Sequence, residues 1–106
     1  MKIMKAVKVQ YTVQSNFIEA NKKNIQKVME ALRLNPIDGM LYSSYTDKEN
    51  PNTFIHINMA KDDETMSKLN AFKEFSEFRM ALKASQPLSP PNQTTLDLVG
   101  SAFDIK

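Results

Sequence analysis

Apolar and polar residues alternate over residues 4–13 (MKAVKVQYTV), with Val7, Val9, Tyr11 and Val13 on one side and Lys8, Gln10 and Thr12 on the other. That period of two predicts a half-buried strand. The period then changes. Phe17, Ile18, Ile25, Val28, Met29 and Leu32 recur at spacings of three and four with lysines between them, which predicts an amphipathic helix. Asn16, followed three residues later by Glu19, has the pattern of a capping box and marks the expected helix start. Pro36 and the Asp38-Gly39 pair end the helix near Leu34 and turn the chain. Residues 40–46 (MLYSSYT) and 53–60 (TFIHINMA) are rich in strand formers, and the DKENPN between them has the composition of a turn. A link of six residues suits a hairpin and is too short for a parallel crossover.

A second helical stretch opens at Asp62, Asp63 and Glu64, acids placed where the helix dipole favours them, and runs to about Ala84. Its apolar stripe changes direction between Met66, Leu69 and Phe72 on one side and Phe75, Phe78 and Leu82 on the other, so a break is expected at residues 72–74. Residues 85–93, with three prolines, are expected to be a loop, and residues 94–104 a last strand with Gly100 at a bulge. The order is βαββαβ. It predicts one α+β domain over residues 1–106, a ferredoxin-like, four-stranded antiparallel sheet with its helices on one face.

Alternation assigns Ile55, Ile57 and Met59 to one face of the third strand and Phe54, His56 and Asn58 to the other. If the uniformly apolar faces meet the helices, the uncovered face carries Lys8, Gln10, Thr12, Phe54, His56 and Asn58, a mixture suited to a pocket lining or an interface. Asp97 and Val99, or Leu96 and Leu98, would join it from the last strand.

Composition narrows the chemistry. There is no cysteine, so thiol catalysis, disulfides and thiolate metal sites are excluded, and a cytoplasmic setting is expected. Two glycines cannot make a phosphate-cradling loop. No run approaches the roughly 18 apolar residues of a membrane span, and the early lysines exclude a signal-peptide core. The net charge is +2, and of the 14 cations only Arg33 and Arg79 are arginines. The densest cluster, Lys22, Lys23 and Lys27, reads as a solvated helix face and not as a nucleic-acid groove. His56 is the sole histidine, hence the one candidate for a general base near neutral pH, with Asn58 and Phe54 beside it. The alternative is a histidine filling a polar interior. No G-x-S-x-G turn offers a serine nucleophile, and Asp62, Asp63 and Glu64 read as a helix start and not as a cation site. Phe75 and Phe78 at helical spacing are either core or, next to the expected break, the wall of a cavity.

The βαββαβ order, the helix FIEANKKNIQKVMEALRL, the hairpin GMLYSSYTDKENPNTFIHINMA and the segment DETMSKLNAFKEFSEFRMAL together resemble the antibiotic biosynthesis monooxygenase (ABM) type of dimeric α+β barrel, over residues 4–103. That resemblance implies a homodimer whose protomers set their open sheet faces together, with TTLDLVGSAFDIK long enough to reach the partner. It also implies a cofactor-independent monooxygenase acting on a small aromatic or quinol-type compound. His56 would be the base and Asn58 or Lys8 the anion stabiliser, with Gln10, Thr12, Phe54, Phe75 and Phe78 around the ligand. The chain lacks the family's tryptophans and has no histidine between Asp62 and Ala84, where haem-degrading relatives carry an axial ligand. These departures point to the alternative, a non-catalytic dimeric small-ligand-binding or sensing domain.

Overall fold

The computed structural model describes residues 4–103. Strand β1 (Lys5–Thr12) leads through a 3₁₀ turn (Ser15–Phe17) into helix α1 (Ile18–Leu34), and the hairpin strands β2 (Met40–Thr46) and β3 (Thr53–Ala60) follow. Helix α2 (Asp63–Ser67), a 3₁₀ turn (Lys68–Ala71), helix α3 (Lys73–Ala84) and strand β4 (Ser89–Leu96) complete the chain. The sheet is antiparallel throughout, in the order β2-β3-β1-β4. The ferredoxin-like α+β architecture is therefore as the hydrophobic pattern predicts, including both hairpin strands and the helix end at Leu34.

The core lies between one sheet face and the helices. Tyr11, Val13 and Phe54 from the sheet meet Ile25 and Val28 of α1, Leu69 of the 3₁₀ turn, and Phe78 and Leu82 of α3. The expected break in the second helical stretch is present. Phe72 has extended backbone (φ −82°, ψ 123°) and separates the 3₁₀ turn from α3, so Leu69 and Phe78 both point inward although no single straight stripe holds them. Asp62 caps α2 by accepting from the Thr65 N–H at 2.7 Å.

Three expectations are corrected. First, Asn16 caps no helix: it sits inside the 3₁₀ turn, where its own backbone is already helical, and neither the turn nor α1 has a side-chain cap. Second, the last strand is Ser89–Leu96, so most of the supposed loop of residues 85–93 is strand, whereas residues 97–103 and Gly100 lie beyond it. Asp104, the expected end of that strand, is outside the described residues. The prolines are tolerated because β4 is an edge strand. Between the pairs Gln10–Asn92 and Thr12–Ser89, two residues, Pro90 and Pro91, face Tyr11 alone, and the bulge falls there.

Third, the faces of β3 are exchanged. Residues directly opposite in an antiparallel pair share a face, and β1 places Val7 opposite Asn58, Val9 opposite His56 and Tyr11 opposite Phe54. Phe54, His56 and Asn58 thus lie on the helix-covered side. Ile55, Ile57 and Met59 lie on the uncovered side with Lys8, Gln10 and Thr12, and with Leu41, Ser43 and Tyr45 of β2. Both halves of β3 are apolar enough to be core, and the register alone decides between them.

Gly39, in the turn before β2, has φ +81°, and a β-carbon there would stand 2.7 Å from Cδ of Lys61. Gly39→Ala is expected to cost roughly 1–2 kcal/mol, chiefly through the left-handed backbone because the lysine chain can move aside. Gly100→Ala, with open space around it, is expected to be neutral. Denaturant unfolding of the two variants checks the pair.

Candidate functional site

The register of β3 brings the one histidine to the floor of a cleft of about 800 Å³ between the sheet and the α2–α3 segment. The floor is Val7, Val9, Tyr11, Tyr42, His56 and Asn58. Phe75, Phe78, Arg79 and Leu82 of α3 form one wall, and Pro87, Pro90, Pro91 and Gln93 another. Lys5 and Asp63 also border it, paired at 2.7 Å.

His56 is 4% exposed and both of its ring nitrogens are occupied. Nε2 lies 2.8 Å from the Tyr11 hydroxyl, and Nδ1 lies 2.8 Å from the Tyr42 hydroxyl and 2.7 Å from that of Ser44. The Tyr11 hydroxyl in turn accepts from the amide of the fully buried Asn21 at 2.9 Å. Aromatic rings enclose the imidazole: Tyr11 and Phe78 have centroids 5.4 Å from it, and Tyr42 stands at 5.8 Å. Burial in this apolar cage lowers the His56 pKa to about 4, so the ring is neutral at pH 7. Burial raises Tyr11 well above the usual phenol range, against the opposing effect of the Asn21 hydrogen bond. It also pushes Tyr42 up to about 12, with Ser44 opposing. A neutral imidazole held between hydroxyls can accept a proton when a negative charge forms nearby, and it is otherwise kept uncharged.

Asn58 offers the complementary group. Its Oδ1 is buried and has no hydrogen-bond partner among the described residues. A buried acceptor left unmade costs about 1–3 kcal/mol. Arg79 stacks over Phe75 at 5.5 Å and supplies a cation at the rim.

Of the residues singled out in the sequence, His56, Asn58, Phe75 and Phe78 converge on this cleft. Phe54 does not line it: it is buried beneath, stacked on Tyr11 at 5.6 Å. Lys8, Gln10 and Thr12 do not join the cleft either, because they point to the opposite side of the sheet, where Thr12 bonds Thr53 at 2.9 Å. Tyr11, Tyr42, Ser44, Asn21 and Arg79 complete the site without having been singled out. For Asn21 a signal existed, since it stands four residues from both Phe17 and Ile25, a polar residue on the apolar stripe. A second depression, about 670 Å³ between α1 and β2, is bordered by Phe54 but not by His56 or Asn58.

Among the described residues no cluster of three metal-ligating side chains occurs and no helix is long and apolar enough to cross a membrane. The sequence matches no protein-family model and none of the curated proteins. Its fold, however, is closely shared with solved structures. A candidate antibiotic biosynthesis monooxygenase from Bacteroides thetaiotaomicron superposes with a TM-score of 0.80 over 98% of this chain and 97% of that one, at 14% identity. A candidate of the same kind from Nitrosomonas europaea gives 0.78 over 93% of each chain, also at 14% identity. SnoaB, a cofactor-independent oxygenase from Streptomyces nogalater, gives 0.70 over 93% of this chain and 96% of that one, at 14% identity. The chain has the ABM-like fold that its sequence resembles.

The depressed His56 pKa fixes a sign for acid stability. The unfolded state takes up a proton near pH 6.5, whereas the folded state resists until about pH 4, so stability is intact above pH 6.5 and falls as the pH drops between the two. The expected slope is about 1.4 kcal/mol per pH unit at most. His56→Gln is expected to flatten that segment of a plot of unfolding free energy against pH.

Proposed function

We propose that this protein is a cofactor-independent monooxygenase-like enzyme that acts on a small aromatic or quinol-type compound and works as a homodimer in the cytoplasm. The observation that carries the reading is the cleft itself: a space walled by Phe75 and Phe78, with one neutral histidine and the Asn58 amide on its floor. The likeness of fold to oxygenases that need no cofactor supports the same reading. A phenolic or enolic hydroxyl donating to Tyr11 would lose its proton to the imidazole through that hydroxyl. The Asn58 Nδ2–H would donate to the resulting oxyanion. The electron-rich anion would then react directly with dioxygen. For an anthrone-type methylene the balance is CH₂ + O₂ → C=O + H₂O, with the substrate supplying the electrons. The cysteine-free composition is the basis of the cytoplasmic assignment.

The homodimer rests on the uncovered sheet face. Ile55, Ile57 and Met59 are joined there by exposed Leu41, Tyr45 and Leu96, an apolar surface that a lone chain would leave in water. Exposed Leu98, Val99 and Phe103 follow β4 and extend the same character.

Oxygen-electrode assays with a panel of anthrones and quinols are expected to register uptake, and His56→Ala is expected to lower turnover about 100-fold or more. Unchanged turnover would remove His56 from the mechanism. If no compound is consumed but one is retained and released unchanged in native mass spectrometry, the protein is a ligand-binding domain instead. Light scattering is expected to return about 24 kDa, twice the 12.1 kDa of one chain. Ile57→Asp is expected to bring that mass down to the single chain, and a 12 kDa wild type would refute the dimer.

A further inference from the structure

The hydrogen bonds beneath the cleft have a direction, and a count of hydrogens fixes it. Asn21 is fully buried on α1, and its Nδ2 donates to the Tyr11 hydroxyl oxygen at 2.9 Å. The phenol hydrogen then needs an acceptor of its own. Among the described residues the acceptor within reach is Nε2 of His56, at 2.8 Å. A nitrogen that accepts carries no hydrogen, and a neutral imidazole carries one, so the hydrogen sits on Nδ1. There it has two oxygens to donate to, Ser44 Oγ at 2.7 Å and Tyr42 Oη at 2.8 Å. In the opposite tautomer Nε2–H and Asn21 would both donate to Tyr11, and a buried phenol hydrogen would be left without an acceptor. Turning the Asn21 amide around would rescue that arrangement only by burying both amide hydrogens unpaired. As it stands, the amide leaves Oδ1 and one of its two hydrogens unpaired, whereas the turned amide would leave both hydrogens so.

We propose that Asn21 is a positioning residue that fixes the proton of His56 on Nδ1, and so makes Tyr11 the group through which the imidazole accepts a proton. This deepens the oxygenase reading and, as a statement about catalysis, rests on it. The proton balance is simple: the hydrogen of the Tyr11 hydroxyl moves to Nε2, and the phenol oxygen is made good by the proton leaving the substrate hydroxyl. The imidazole ends with a hydrogen on each nitrogen and the substrate as the anion. Asn21 is not itself part of the cleft lining, and it acts on the imidazole only by orienting Tyr11.

The single histidine makes the test direct, because its two ring nitrogens are the only imidazole signals in an ¹⁵N-labelled sample. Long-range proton–nitrogen spectra of the ligand-free wild type at pH 7 are expected to place Nδ1 in the protonated range and Nε2 in the unprotonated range. The reverse assignment, or two averaged nitrogens, would overturn the proposal, and neither result depends on whether any substrate is oxidised. Asn21→Asp replaces the donor with a carboxylate that accepts from Tyr11, and it is expected to move the hydrogen to Nε2. Tyr11→Phe removes the donor to Nε2, and it is expected to give averaged nitrogens. A folded Asn21→Asp protein whose nitrogens match the wild type would also overturn it. Loss of oxygen uptake together with an unchanged wild-type tautomer would count against the oxygenase reading alone.

Discussion

The pairing of Val9 with His56 across β1 and β3 is the constraint from which the rest of the site follows. Side chains on a strand alternate with a period of two, so fixing one pair fixes the face of every residue on β3. With this register the imidazole is carried under the helices, where its polar atoms must be matched or the fold loses about 1–3 kcal/mol for each one left bare. The match comes from residues that the same register aligns. Tyr11 reaches Nε2 from β1, and Tyr42 and Ser44 reach Nδ1 from β2. A one-residue slip of β3 would move His56 to the uncovered face beside Lys8, Gln10 and Ser43 and put Ile55, Ile57 and Met59 under the helices.

The same choice shapes the other side of the sheet. Keeping His56 and Asn58 inside puts Ile55, Ile57 and Met59 outside, opposite the helices. The outward Ile55, Ile57 and Met59 and the inward His56 and Asn58 are thus set by one register. A strand with two apolar halves must spend one of them on the chain's own core and leave the other for something else. This explains why an ordinary charge and composition coexist with several large exposed side chains: Leu41 is 46% exposed, Tyr45 55% and Leu96 36%.

Most of the fold was legible in the sequence because it rests on local signals. The period change near Phe17, the six-residue hairpin link and the drifting stripe around Phe72 each have a direct counterpart in the structure. The site was less legible, for two physical reasons. The register of β3 is a long-range property, and TFIHINMA gives no local preference between its halves, so His56 and Asn58 were rightly paired but set on the wrong face, beside Lys8, Gln10 and Thr12. The strand at Ser89–Leu96 was hidden by Pro90 and Pro91, since a central strand could not hold them and only the sheet order makes β4 an edge. Asn21 was visible as a polar residue on an apolar stripe, but its partner Tyr11 lies ten residues away on another element.

The prolines also matter to the cleft. Opposite Tyr11 the β4 chain carries one residue more than β1, and both residues facing it are prolines. Their backbone angles are already restricted in the unfolded chain, so holding this wall in place costs less conformational entropy than an ordinary loop would. On the other wall the chain does the reverse: the extended residue Phe72 interrupts the helix and lets Phe75 and Phe78 swing toward His56. The floor, by contrast, is regular sheet held by hydrogen-bonded side chains from three strands and α1. A space bounded by a regular floor and a pre-ordered wall needs little reorganisation on being filled.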